Sequence, residues 1–259
     1  KPAVTTPDSE WTWQGEKLDL VMQTYNFQHL IGYSPGTHIV QTANGDVINA
    51  KAETLQASFR WNSESMQQIS VVSEGMNAIA DGEAYAMAGF HLHLRPMPKS
   101  PDNLQIKAGF DQLTLPAPPV DAEWLGTVIG PISAPIEITN GIPLLNASGD
   151  IKNLVRQFDP KMVSPLTELS WGPAIVKLKS EGLGLDELYR PAGKVELRLE
   201  DIPALKTALK DAGQMSPQLN TVLSTVENMT GEKAFIPITL KDGKAKHIFL
   251  ELGEVSPVL

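Results

Sequence analysis

The histidines are the first candidates for chemistry, because the sequence contains no cysteine. His91 and His93 lie two residues apart, so a strand would present both rings on one face, as a pair of metal ligands requires. A zinc site needs at least three protein ligands, and no third histidine or carboxylate stands at a fitting spacing. We therefore interpret the pair as surface or hairpin-packing residues. We assign no role to His29, His38 and His247, and we expect neither a metal nor a cofactor.

No catalytic motif accompanies these histidines. The sequence lacks a Gly-x-Ser-x-Gly elbow, a Walker loop, a dinucleotide fingerprint and an HExxH helix. Gly182-Leu183-Gly184 lacks the third glycine of a fingerprint and is more typical of a turn between strands. Glu200 and Asp201 would point to opposite faces of a strand, and Asp201 suits a helix cap. We predict that the chain is not an enzyme, although a split active site can leave no local motif.

The composition restricts the partners. The chain has 259 residues, a net charge of −9 and 42% hydrophobic residues, which indicates a folded protein with a real core. No Lys/Arg cluster interrupts the acidic balance, so nucleic acid and strongly anionic membrane surfaces are poor partners. No run approaches the roughly 20 apolar residues that span a bilayer. The chain begins at Lys1 without an initiator methionine, which is typical of a mature form from which a signal or anchor was removed and equally of a chain that was trimmed.

Residues 85–115 indicate two long strands. Phe90, Leu92 and Leu94 alternate with polar residues, which is the period of a strand with one apolar face. The prolines of the intervening segment, Pro96, Pro98 and Pro101, cannot donate to a ladder. We therefore predict that strand pairing stops at Pro96 and resumes after Pro101.

Other strands surround this hairpin. Asn44-Gly45 and Asp81-Gly82 are turn signals, and Phe59 and Trp61 alternate with polar residues between them. The stretch from Val47 to Leu115 therefore indicates a meander of antiparallel strands, which normally buries one face. A further hairpin is predicted around Asp242-Gly243.

Helix signals fall in the second half. We predict helices near residues 121–130, 151–159, 202–212 and 218–229. Asp121, Asp150 and Asp201 are candidate N-caps for the first three. The last helix has Leu219, Val222, Leu223 and Val226 on one stripe, and the last two helices are predicted to form an antiparallel pair.

Together these elements predict an α+β fold that is mainly antiparallel β. We expect a long curved antiparallel sheet packed against two helical segments, and the order of elements hints at two related halves, each with strands before helices. Residues 1–45 are predicted to be an amino-terminal extension with the first strands, and residues 46–259 a curved-sheet domain.

Several segments carry a family resemblance in a fixed order. They are HLHLRPMP, Leu169–Pro173 (LSWGP), Glu181–Asp186 (EGLGLD), Arg190–Leu199 (RPAGKVELRL) and Ile236–Lys244 (IPITLKDGK). From about Asp46 to Leu259 the chain resembles an uncharacterised alphaproteobacterial family of exported envelope proteins, a domain of unknown function. The resemblance implies a periplasmic protein, tethered to the inner membrane by an amino-terminal segment that is removed or missing here. The family is similar in turn to AsmA-like lipid-transfer proteins, whose curved sheets offer an apolar surface to lipid.

The apolar strand faces are the remaining functional candidate. The predicted ligand-binding residues are Phe59, Trp61, Met87, Phe90, Leu92, Phe110, Val195 and Leu197. They are either ordinary core beneath the helices or the lining of an open groove, and the sequence leaves both alternatives open. Our leading hypothesis is non-enzymatic binding or transport of a hydrophobic ligand, a lipid, in the bacterial envelope. The alternative is a structural or assembly subunit of a membrane-associated complex, held by an envelope protein partner.

Overall fold

The computed structural model describes residues 1–5, 11–63, 65–120, 122–230, 234–247 and 250–259. The chain divides into two compact units. Unit 1 comprises Lys1–Arg95, Lys107–Ala122 and Gly126–Ile132, and unit 2 comprises Pro96–Ile106, Glu123–Leu125 and Ser133–Leu259. The predicted boundary after residue 45 falls inside unit 1.

Unit 1 is built from strands, and its described residues contain no α-helix. The strands that lie in it or reach into it are β1 (Ala3–Thr5), β2 (Trp11–Gly15), β3 (Asp19–Gln23), β4 (Asn26–Tyr33), β5 (Gly36–Thr42), β6 (Val47–Ala52), β7 (Gln56–Trp61), β8 (Met66–Ala80), β9 (Glu83–Met97), β10 (Ser100–Phe110), β11 (Gln112–Thr114) and β12 (Val128–Ile138). All the registered pairs among them are antiparallel.

The sheet of unit 1 forks at strand β8. One edge of β8 pairs with β9, while the other pairs first with β7, up to Val72, and then with β6, from Met76 onward. One arm of the sheet continues from β7 to β4 and β3, and the other from β6 to β5, β2 and β1. At the fork, Glu53 donates its backbone N–H to the carbonyl of Gly75 at 3.2 Å. The meander predicted from Val47 is therefore interleaved with the earlier strands.

The turn residues are placed as predicted, but the prolines are not. Asn44-Gly45 connects β5 to β6, and Asp81-Gly82 connects β8 to β9 with positive φ angles of 53° and 81°. Strand β9 continues through Pro96 to Met97, and β10 begins at Ser100. The predicted stop at Pro96 is wrong, because a strand tolerates proline wherever its ladder does not use that nitrogen.

Unit 2 contains all the α-helices of the described chain. They are α1 (Gly141–Asn146), α2 (Ile151–Phe158), α3 (Ile202–Asp211) and α4 (Pro217–Thr230). Its remaining strands are β13 (Met162–Trp171), β14 (Ala174–Leu185), β15 (Pro191–Glu200), β16 (Ile236–Lys241), β17 (Lys244–His247) and β18 (Leu250–Glu254). Each of these strands pairs antiparallel with the next. The predicted α+β fold, mainly antiparallel β, is thus confirmed.

The core of unit 2 lies between α3, α4 and the sheet. Its buried members are Ile202, Leu205, Leu209 and Leu223, and Trp124, Ala174, Leu199, Met215, Leu219 and Val226 pack against them. The two helices contact each other through this cluster, as the facing apolar stripes predict. Burial of each large aliphatic side chain contributes about 1.5–3 kcal/mol.

Three of the four predicted helices are confirmed. The carboxylate of Asp150 accepts from the backbone N–H of Asn153 at 3.1 Å, and that of Asp201 accepts from Ala204 at 3.2 Å. The helix predicted over 121–130 is wrong. Only a 3₁₀ turn forms there, at Glu123–Leu125, because Gly126 follows with a φ of 74° and β12 begins at Val128. The predicted cap Asp121 lies outside the described residues.

Candidate apolar binding site

Unit 2 contains an apolar cavity of about 710 Å³ beside helix α4. Its lining includes Leu197, Leu199, Val222, Phe235, Ile238 and Leu252. Small-molecule pockets typically have volumes of roughly 300–1,000 Å³ and mostly apolar walls. The cavity therefore has the size and the chemistry of a site for a hydrophobic ligand.

Strand alternation builds the sheet side of the cavity. Leu197 lies opposite Ile236 on the neighbouring strand, and Val195 lies opposite Ile238. Directly paired residues point to the same face, so one apolar face runs across β15 and β16. Leu197 and both isoleucines line the cavity, whereas Val195 is only 7% exposed and belongs to the packed part of this face.

Helix α4 contributes side chains to two different environments. Leu219 packs against the buried core, Val222 and Thr225 line the cavity, and Leu223 and Val226 do both. The apolar stripe of α4 is wider than packing against α3 alone requires. The helix therefore contributes both to the filled core and to the wall of the open cavity.

Three polar groups around the cavity have hydrogen-bond partners within the protein. The hydroxyls of Thr221 and Thr225 donate to the carbonyls of Pro217 and Thr221, at 2.9 and 2.8 Å. The Nδ1 atom of His247 lies 2.8 Å from the carbonyl oxygen of Pro237. Because these groups are satisfied, a ligand gains most by removing apolar surface from water.

Unit 1 presents a second apolar surface, on one face of the arm that runs from β3 to β9. Two cross-strand rows form it: Met22, Leu30, Phe59, Ile69 and Leu94 in one row, and Leu20, Gly32, Ala57, Val71 and Leu92 in the other. The rows are two residues apart along each strand, so they share a face. None of these residues is buried, and Leu20 and Phe59 are 60% and 38% exposed. We call this surface the apolar face of unit 1.

Several predicted ligand-binding residues meet on this apolar face. The rings of Phe59 and Trp61 stack with their centroids 5.3 Å apart. Leu92 belongs to one of the two rows, and Phe90 stands two residues before it on the same strand. The period of two in the sequence therefore places these four side chains on one face of the sheet.

Phe110 joins the same surface through its neighbour Gly109. A Cβ atom on Gly109 would lie 2.8 Å from Cε1 of His91, so Gly109 faces the histidine side of the sheet. Adjacent strand residues point to opposite faces, which places Phe110 with Phe90.

The remaining predicted residues lie elsewhere. Met87 pairs with Met76 and with Leu113, and it stands three residues before Phe90 on the same strand, beyond Gly89 with its φ of 66°. Val195 and Leu197 belong to unit 2, where Leu197 lines the cavity. A ligand-binding role for any of the eight residues stays a prediction.

The sequence did not point to most of the cavity. Val222 lies on α4, and Phe235 and Leu252 lie in the segment that follows it, which is remote in sequence from the two long strands predicted over residues 85–115. The sequence indicates the cavity only through the apolar stripe on α4, which is broader than packing against α3 requires. Only the folded chain shows that part of this stripe is left uncovered.

The histidine pair has the geometry of packing rather than of metal binding. The rings of His91 and His93 stack with centroids 6.0 Å apart, and His93 Nδ1 lies 2.9 Å from the hydroxyl of Ser70. Burial lowers the pKa of His93, and its electrostatic interactions with His91 and Lys107 act in the same direction. Within the described ranges, no group of three or more His, Cys, Asp or Glu side chains could hold a metal ion.

Two further histidines are buried in unit 1. His29 is 4% exposed, and its ring nitrogens lie 3.2 Å from the amide oxygen of Gln23 and 2.8 Å from the hydroxyl of Ser58. His38 is 3% exposed and accepts from the indole N–H of Trp13 at 3.2 Å. Both rings have uncharged neighbours as hydrogen-bond partners, which suits structural residues.

The glycine pair at 182–184 has no phosphate-binding geometry. Gly182 and Gly184 lie within strand β14, which ends at Leu185, so the turn predicted at these glycines is wrong. The carboxylate of Asp186 then accepts from the Nε of Arg190 at 2.8 Å, and this hydrogen bond lowers the pKa of Asp186. The segment is therefore a strand followed by a turn that is closed by its own hydrogen bonds. It does not form the open glycine loop that cradles a phosphate.

The comparisons with known proteins define the family. A family model described as "Uncharacterized protein conserved in bacteria (DUF2125)" matches residues 1–256. The chain belongs to the DUF2125 family. The match includes the first 45 residues, so the amino-terminal strands are part of the DUF2125 sequence as well. No curated protein and no solved structure matches the chain. Among the described residues of this DUF2125 protein, no helix is both long and apolar enough to cross a membrane.

Proposed function

We propose that this DUF2125 protein binds an apolar molecule of the lipid class without converting it chemically. The apolar cavity of about 710 Å³ beside α4 supports this proposal most directly. Each CH₂ group that leaves water for such a cavity contributes about 0.8 kcal/mol, so an acyl chain can be held without charged contacts. The apolar face of unit 1 is a second surface of the same chemistry.

We place this activity in the bacterial envelope. The support is the resemblance of the sequence segments to exported alphaproteobacterial proteins, and through them to AsmA-like lipid-transfer proteins. Under this proposal the protein acts in the periplasm, and its ligand is shuttled or stored there rather than modified.

A cavity-filling variant tests the proposal. Val222→Trp places a large ring in the cavity, whereas Asn220→Trp places the same ring on the exposed side of the same helix. We expect natively purified wild-type protein and Asn220→Trp to release a stoichiometric apolar compound into organic solvent, identified by mass spectrometry against a mock purification. Both should also bind a fluorescent fatty acid saturably, and Val222→Trp should bind it at least about tenfold more weakly.

Three outcomes contradict the proposal. One is an empty extract together with no saturable fatty-acid binding by well-folded wild-type protein. Another is equal binding by Val222→Trp and Asn220→Trp, which would separate the ligand from the cavity. The third is a stable protein partner in a native pull-down without bound lipid, which would favour the structural or assembly subunit of a membrane complex instead.

A further inference from the structure

The hairpin formed by β3 and β4 exposes an unusual amount of apolar surface. Leu20, Val21 and Met22 on β3 are 60%, 46% and 45% exposed. Tyr25, in the turn, and Phe27, at the start of β4, are 83% and 68% exposed. Exposed apolar residues that occur singly need no explanation, but a contiguous group of this size indicates an interaction site.

The exposed side chains lie on both faces of the hairpin. Val21 and Met22 are adjacent on β3, so they point to opposite faces, and their cross-strand partners are Ile31 and Leu30. A folded protein partner normally covers one face of a strand pair. A lipid layer surrounds an inserted hairpin on every side. Apolar residues on both faces are therefore expected of a hairpin that enters lipid.

Beyond Asp19 at its base, the hairpin carries no Asp, Glu, Lys or Arg side chain that insertion would have to remove from water. The sequence from Leu20 to Gly45 contains no Asp, Glu, Lys or Arg, although charged residues make up 20% of the chain. The nearest charges, Lys17 and Asp19, form an ion pair of 2.6 Å at the base of β3. The charge boundary therefore falls where the hairpin would emerge into water.

The backbone of β3 limits how deep the hairpin can lie. Among the described residues, β3 pairs with β4 only, so its outer edge has free N–H and C=O groups. Such an edge is not tolerated in the hydrocarbon core, but it stays hydrated at the depth of the headgroups. Aromatic residues such as Tyr25 favour this interfacial layer, and interfacial segments insert about 5–10 Å.

We propose that the tip of the β3–β4 hairpin, residues 22–27, inserts into the interfacial layer of a lipid bilayer. The attraction is hydrophobic rather than electrostatic, so the hairpin binds an uncharged, zwitterionic bilayer. The proposal rests on unit 1 alone and does not depend on the cavity of unit 2.

Vesicle flotation tests the insertion. The full chain is mixed with phosphatidylcholine vesicles, and the fraction that floats with the lipid is measured for wild type, Tyr25→Ser/Phe27→Ser and Val120→Ser/Leu188→Ser. The last variant is the matched control, because Val120 and Leu188 are 83% and 59% exposed but lie outside the hairpin. We expect wild type and control to float equally, and the tip variant to partition at least about tenfold less.

A fluorescent label measures the depth. Since the chain has no cysteine, Tyr25→Cys and Val120→Cys each provide a single attachment point for a polarity-sensitive dye. We expect vesicles to shift the emission to the blue from position 25 and to leave position 120 unchanged. The proposal is overturned if wild type does not float, if the tip variant floats equally well, or if the dye at position 25 does not respond. Val222→Trp should float like wild type, which keeps this test separate from that of the cavity.

Discussion

His93 shows how a residue of possible catalytic chemistry is used for packing. It has a histidine neighbour at the spacing of metal ligands, yet its Nδ1 lies beside the hydroxyl of Ser70 and its ring stacks on His91. Burial disfavours the charged imidazolium. The pKa of His93 is accordingly lowered, and the ring is suited to remain neutral in the folded protein.

This lowered pKa predicts a pH dependence of stability. The unfolded chain has the ordinary histidine pKa of about 6.5, so it binds a proton at His93 before the folded chain does. The contribution of neutral His93 to the free energy of unfolding is therefore fully present above about pH 6.5. It is lost as the pH falls through the lowered pKa of His93 in the folded protein. We expect the free energy of unfolding, measured with urea between about pH 7.5 and pH 5, to change less with pH for His93→Gln than for wild type. A His93 titration midpoint above the ordinary histidine value, measured by NMR, would contradict this prediction.

Among the elements, helix α3 has a start that is defined by a single residue. Asp201 adopts a left-handed conformation, with φ 49° and ψ 50°, and its carboxylate caps the N–H of Ala204. Asp and Asn tolerate this conformation better than other residues with a Cβ. The residue therefore sets both the turn out of β15 and the first hydrogen bond of α3.

Two replacements of Asp201 should distinguish the effects of the cap and the backbone conformation from the effect of the negative charge. Asp201→Ala loses the cap and strains the backbone, and we expect it to lower the free energy of unfolding by about 1–2 kcal/mol. Asp201→Asn keeps an oxygen acceptor and tolerates positive φ, so it should lower the free energy of unfolding by only about a few tenths of a kcal/mol. Thermal and urea denaturation measure both values. Equal destabilisation by the two variants would show that the charge, rather than the cap, holds the helix start.

At the scale of the whole molecule, the two units are stabilised differently. The buried cluster of unit 2 consists of large aliphatic side chains from α3 and α4. The described buried residues of unit 1 are small or polar: Gly15, Ala50, Ala52, Gly109, His29, Ser34, His38 and Ser73. Unit 1 thus depends on strand pairing and half-buried side chains, whereas unit 2 has a conventional core.

Hydrogen exchange should report this difference. Amides of α3 and of its packed strand β15 lie over the buried cluster, so we expect them to exchange slowest. Amides of β3, which has a free edge and exposed side chains, should exchange fastest. Mass spectrometry of peptides from the intact chain measures both. Equal protection of β3 and α3 would contradict this account of where stability resides.

The sequence by itself determined the local structure of much of the chain. Alternation of apolar and polar residues is a property of the strand, so it placed Phe59, Leu92 and Leu197 on apolar faces. Turn glycines and helix caps act over three or four residues, which explains why Asp81-Gly82, Asp150 and Asp201 were correctly interpreted. The helix predicted at 121–130 failed because pairing of Val128 with Thr114 overrides a local cap signal.

The tertiary structure alone decided which apolar faces are covered. No local pattern states that β8 divides its edge between β6 and β7, since strand partners are chosen by contacts between distant segments. Nor does a stripe on α4 indicate that Val222 faces an open cavity while Leu219 packs against the core. A side chain's burial depends on what packs against it, and the sequence pattern gives only the face on which it lies.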